Sequence, residues 1–204
     1  MEQMKKSIFR TTFIAAVTTA ACTAAAANMI TGSDGDDPRV FFTDGNVCVA
    51  AEAATVNNEK CAGFVLKKIA ADKSGNKTVG GKMLFGGDRK NPGVAVKPDT
   101  EYKFSFNYCG NSPAVFFSTA QLRNGSTPWY SRVKYIPVTP RYAIPSKEWK
   151  QIKGTFKTAP DTVRVALVFE FWGSSKAQGK RFDAWQEGQA VYVDKIVIEE
   201  ITAE

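Results

Sequence analysis

Histidine is absent from all 204 residues. That omission removes Ser-His-Asp and Cys-His nucleophilic sites, the commonest zinc ligands and the usual neutral-pH general base. No stretch carries a long 3.6-residue apolar period, so helical bundles are excluded as well. Basic residues outnumber acidic ones 27 to 20, yet they are scattered, as at Lys67-Lys68, Arg89-Lys90 and Lys180-Arg181. They form neither a stripe nor a nucleic-acid motif. A glycosidase could work with carboxylates alone, but a Glu-x-Asp-x-x-Glu pattern is missing. Glu170 stands alone in its strand, and Glu199 and Glu200 are adjacent and so point to opposite faces. Tyr130 with Arg132, or Tyr142 with Arg141, are the residue types a lyase uses, without a lyase motif around them. The reading is that the chain is not an enzyme and needs no cofactor.

What is present begins with Lys5, Lys6 and Arg10, followed by an uncharged Ala/Thr segment ending in Ala25-Ala26-Ala27. A basic start, a short apolar run and a small-x-small end predict a secretory signal peptide over residues 1–27. The run is short for a transmembrane span. Cys22, after Thr19-Ala-Ala, is the weaker alternative, a lipoprotein site. Either way the chain is expected outside the cell or on its surface. Losing the leader removes three basic residues and Glu2, so the formal charge of +7 falls by two. A mild positive excess suits weak attraction to anionic polymers.

Cys48, Cys61 and Cys109 follow the leader. Export makes a disulfide plausible. Cys48 and Cys61 flank the polar segment Asn57–Lys60 and are the expected pair, with bridges to Cys109 as alternatives. Gly32–Pro38 is a dense turn cluster whose Asp34, Asp36 and Asp37 have the alternating spacing of a calcium loop. The Gly and distal Glu of a full calcium loop are missing, which favours a solvated turn.

From Val47 onward, short β-type segments recur with turn signals between them, including Asn91-Pro92, Asn124-Gly125 and Ala159-Pro-Asp161. This predicts one all-β domain over residues 28–204, an antiparallel β-sandwich. The clearest strand is Val163–Trp172. Val163, Val165, Leu167, Phe169 and Phe171 alternate with Arg164, Ala166, Val168, Glu170 and Trp172. Period two predicts that Phe169 and Phe171 face the core while Glu170 and Trp172 share the other face. A second strand pattern, Ala190–Ile201, closes the chain. Between them, Gly173–Gln189 reads as a loop that carries Phe182 and Trp185.

Three segments in order carry a family resemblance: Pro98-Asp-Thr-Glu-Tyr-Lys-Phe-Ser-Phe, Trp149-Lys-Gln-Ile-Lys-Gly-Thr-Phe-Lys-Thr and Val191-Tyr-Val-Asp-Lys-Ile-Val-Ile. Together with the aromatic strand they resemble the jelly-roll carbohydrate-binding modules of the cellulose- and xylan-binding group, which have a galactose-binding-like sandwich. The resemblance covers the second half of the chain. It implies a jelly roll with Trp149 in a structural position and a glycan held on one sheet face, where a strand glutamate and a nearby Trp touch the ligand. On that ground Glu170 and Trp172 are ligand candidates. The resemblance also implies a structural calcium held partly by paired aspartates in the last strand. Here Asp194 is followed by Lys195, which departs from that pattern.

Sugars offer apolar C–H faces and rings of hydroxyls, so their binders combine flat aromatic rings with planar hydrogen-bonding groups. The loop and strand around Gly125–Tyr135 supply Trp129, Tyr130, Arg132 and Tyr135, and the preceding strand supplies Gln121. Trp185 is a further candidate, either lining the site or plugging the sandwich edge. The expected function is a non-catalytic module that binds a polysaccharide such as xylan or β-glucan. The alternative is a structural or cell-surface assembly protein that uses the same sandwich for protein contacts.

Overall fold

A computed structural model describes residues 41–44, 48–87, 92–125 and 127–202, with residues 42–44 described as backbone only. The predicted leader, Cys22 and Asp36 lie outside these residues. Twelve strands are described: β1 (Phe41–Asp44), β2 (Val49–Val56), β3 (Glu59–Leu66), β4 (Ala70–Ala71), β5 (Lys77–Phe85), β6 (Val94–Ala95), β7 (Glu101–Gly110), β8 (Val115–Arg123), β9 (Val133–Ala143), β10 (Lys150–Lys157), β11 (Thr162–Ser174) and β12 (Ala190–Glu200). They form two antiparallel sheets. The first runs β1-β5-β11-β8-β9, with β4 on β5 and β6 on β11, and the second runs β10-β7-β12-β3-β2. The β-sandwich expected from the alternating pattern is the observed fold.

The alternation in β11 is what joins the two sheets. Val165, Leu167, Phe169 and Phe171 are all buried in the core. Phe169 is its hub, with ring centroids 5.3 Å from Phe64, 5.0 Å from Phe106 and 6.0 Å from Phe117. Tilted and edge-on packing of this kind adds to the area that each ring buries. In β12 the inward residues are Val191 and Val193, then Ile196 and Ile198. Parity switches because the pairing with β7 slips between Asp194 and Val197, where Lys195 has φ 52°. A β-bulge inserts one residue and turns the second apolar pair back to the core.

Asn57 and Asn58 have φ of 52° and 68° and close the β2–β3 hairpin with two residues. Left-handed conformations at both positions match the twist of the flanking strands, and Asn tolerates them better than most residues. This hairpin also corrects the disulfide expectation. Cys48 precedes Val49, which faces Leu66, whereas Cys61 faces Ala54 at the other end. About 20 Å of extended chain separates their levels, and a bridge needs Cα atoms within about 7 Å. Cys61 and Cys109 flank β12 on the outward side of the five-stranded sheet, opposite Asp194 and Tyr192. Two interstrand steps, about 10 Å, hold them apart. All three thiols are free and buried.

The segment after β11 is more ordered than the loop expected there. The strand runs on through Ser174 into a one-turn helix, α1 (Ser175–Gln178), and a 3-10 turn over Gly179–Ala184. Phe182 and Trp185 then fold back as a plug at the end of the sandwich, both buried. Gly173 makes room for it, since a Cβ there would lie 2.5 Å from Trp185 Nε1. No helix among the described residues is long and apolar enough to cross a membrane.

Candidate functional site

The outward face of β11 lies in the middle of the seven-stranded sheet. In register, Glu170 stands between Lys82 of β5 and Phe116 of β8, and Phe116 faces Tyr142 of β9. Two residues along, Val168 lies between Leu84 and Ser118, and then Ala166 faces Ala120, which faces Tyr135. The floor is therefore small and apolar, while aromatic rings rise from both ends. Trp172 is 47% exposed, next to Gly80 in register. A cleft of about 450 Å³ opens here, lined by Phe116, Phe117, Ser118, Tyr135, Pro137, Arg141, Glu170 and Trp172.

Half of the floor is roofed. Leu84, Ala120, Ala166 and Val168 point away from the main core yet are buried, because Trp129, Val133 and Tyr135 pack over them. Lys82 completes the roof. Its ammonium lies 3.8 Å from the centroid of the Tyr135 ring, although β11 and β8 stand between the two strands. Three interstrand steps make about 14 Å in a flat sheet, so the lysine stem and the tyrosine ring reach toward each other over the floor to make this cation–π contact.

Of the residues expected to bind, the structure brings Glu170, Trp172 and Tyr135 to one cleft. Trp129 is partly buried over the secondary apolar cluster, and Tyr130 is exposed in the loop between β8 and β9. Arg132 is committed to that loop. Its Nε donates to the Thr127 carbonyl at 2.6 Å and its guanidinium to the Arg123 carbonyl at 2.7 Å. Two candidates are buried away from the cleft. Trp185 belongs to the end plug, and Gln121 faces inward opposite Val165. The Gln121 amide donates to the Lys157 carbonyl, while its oxygen accepts from the Ala159 N–H and the Thr162 hydroxyl. It ties β8 to the β10–β11 turn and is buried there, away from any ligand in the cleft.

Phe116, Ser118, Pro137 and Arg141 line the cleft and were not picked out as ligand residues. Alternation on β8 was the available signal, since Phe116 and Ser118 share a parity opposite to buried Phe117 and Thr119. For calcium, Asp194 is buried with the Lys195 ammonium 3.7 Å from its carboxylate. No three potential ligands come together among the described residues.

Residues 70–177 match the carbohydrate binding domain family, a span of more than half the chain. The chain belongs to that family. This carbohydrate-binding domain is similar in structure to the CBM22-1 xylan-binding domain of Paenibacillus barcinonensis Xyn10C, with a TM-score of 0.51 at 12% identity, over 88% of this chain and 98% of that one. It is also similar to the CBM22-1-GH10 modules of Clostridium thermocellum Xyn10B complexed with xylohexaose, with a TM-score of 0.52 at 12% identity. That likeness covers 86% of this chain and 29% of the other. At such identity the likeness speaks for the fold alone. No curated protein matches the sequence.

A second concavity, about 580 Å³, lies on the five-stranded sheet between Lys103, Lys153, Thr155 and Glu199. Lys103 and Glu199 pair there at 2.8 Å. It offers no exposed aromatic ring and suits a sugar poorly.

Proposed function

We propose that this domain is a secreted, non-catalytic module that holds a polysaccharide chain, of xylan or β-glucan type, in the cleft of the seven-stranded sheet. The observation that carries the reading is the pairing of half-exposed Trp172 with Glu170 on one face, directly behind the buried rings of Phe169 and Phe171. Trp172 supplies a flat apolar surface for sugar C–H faces, and Glu170, Ser118 and Arg141 supply acceptors and donors for hydroxyls. Family membership and the xylan-binding neighbours support the ligand class. Glu170 is the single carboxylate among the cleft's described lining residues. A second would be needed for glycoside hydrolysis, which supports a binding role without catalysis.

The test is affinity electrophoresis of leaderless protein through gels containing soluble xylan, β-glucan or mannan. Retarded migration that Trp172→Ala abolishes supports the proposal. Unretarded migration in every gel sinks it. Exposed Tyr142 and Ile144 near the end of β9 are what a protein-assembly role would use. That reading gains ground only if no gel retards the protein. Export is checked separately, by finding Asn28 as the first residue of secreted material.

A further inference from the structure

We propose that Lys82 makes the cleft prefer glycans bearing carboxylate groups, such as uronic acid residues, over neutral chains of the same backbone. The inference rests on the glycan-binding reading above and goes on to name the class of chain. In register Lys82 stands between Asp44 of β1 and Glu170 of β11. A cross-strand ion pair with Glu170 would be the ordinary outcome. Instead the ammonium reaches over the floor to the ring of Tyr135. Tyr135 lines the cleft, so a glycan chain that reaches its wall meets the cation held on that ring.

That placement changes what the site can recognise. A cation–π contact leaves the outer side of an ammonium free to donate, and lysine carries three donors. To a neutral hydroxyl it gives a hydrogen bond assisted by its own charge alone, whereas a carboxylate adds the attraction of an opposite charge. Arg141 adds a second cation to the wall, against the one carboxylate of Glu170. Glu170 lines the cleft with Trp172 and Phe116, so hydroxyls can bond there while an acidic substituent points toward Lys82. Ser118 is the small residue of the open half of the floor, beside Phe116 and Glu170. The positive net charge of the chain attracts a polyanion from longer range.

Two polymer pairs share a backbone and differ in charge: glucuronoxylan with its carboxyl-reduced form, and carboxymethylcellulose with hydroxyethylcellulose. Titration calorimetry should give about tenfold tighter binding of the charged member for whichever backbone binds, the increment of one opposite charge. Lys82→Gln should bring the two members to parity, and Lys82→Met should do the same. Lys82→Arg should keep the preference. Lys153→Gln removes one positive charge from the far sheet and should leave the preference intact. Equal binding of both members by the unmodified protein overturns the proposal. So does a preference that survives Lys82→Gln, or one that Lys153→Gln erases equally. Trp172→Ala keeps the two levels apart, because it should weaken binding to charged and neutral members alike. If none of the four polymers binds, the glycan-binding reading has failed and the preference falls with it.

Discussion

Replacing Trp172 with alanine isolates the aromatic contribution to binding from the stability of the sandwich. The indole is 47% exposed and stands on the outward face of β11. A tryptophan presents about 250 Å², so roughly 115 Å² is available to a ligand. At about 25 cal/mol per Å² the ceiling is about 3 kcal/mol, or about 150-fold in affinity. A sugar ring covers one face of an indole, which halves the gain to about 1.5 kcal/mol and about tenfold. The expected loss therefore lies between about tenfold and about 150-fold, measured by calorimetry on the best polysaccharide. The urea midpoint should move little, by less than about 1 kcal/mol, because the side chain packs only partly against the sheet. Phe169→Ala, three residues back on the strand's other face, should instead cost about 3–5 kcal/mol of stability. Affinity within about twofold of the unmodified protein for Trp172→Ala, or a collapse of its fold, would refute the assignment of faces on β11.

Other perturbations test the remaining structural claims. Gln121→Leu strands the Lys157 carbonyl, the Ala159 N–H and the Thr162 hydroxyl. It should lower stability by about 2–4 kcal/mol while calorimetry on the folded fraction finds unchanged affinity. Gly93 has φ +79°, and a Cβ there would meet the Val165 carbonyl oxygen. Gly93→Ala should cost about 3 kcal/mol or more in a urea melt. Thiol titration of leaderless protein should find no reactive cysteine in the native state and three after denaturation; a single thiol after denaturation would mean that a disulfide exists. Burial, followed by the neighbouring Asp194 charge, pushes the Cys61 thiol from 9.0 up to about 11, and burial does the same for Cys109. The folded chain thus keeps protons that the unfolded chain releases. Stability from these groups is intact below pH 9 and is lost as pH rises toward 11. The double variant Cys61→Ala, Cys109→Ala should flatten that decline, read from urea midpoints on both sides of the window.

The parity of β11 was legible because ten consecutive residues alternate with large apolar groups at every odd position. Burial on one face leaves only one workable register, so the core rings and the Glu170–Trp172 pair followed together. Gln121 misled for a physical reason. A polar residue on a strand reads as solvent-facing, but at the sandwich rim its amide satisfies three backbone and hydroxyl groups that would otherwise be buried unpaired. The cysteines misled because closeness in sequence was taken for closeness in space, whereas a hairpin brings together residues symmetric about its turn. Cys61 meets Ala54 across Asn57-Asn58, and Cys48 is left at the open end. Lys82 gave no signal at all. Its contact with Tyr135 joins strands three steps apart in the sheet, a relation that no local pattern encodes.

The last strand of the chain, β12, lies at the centre of its sheet, between β7 and β3. Nascent chain emerging from the ribosome can zip β2 to β3 and β10 to β7, but these remain two separate ribbons until β12 arrives. Marginal two-stranded ribbons cannot hold a core alone, so half of the sandwich waits for β12. A chain cut before Ala190 would lose the keystone of that sheet and leave β7 and β3, which carry Phe106 and Phe64, with no strand between them.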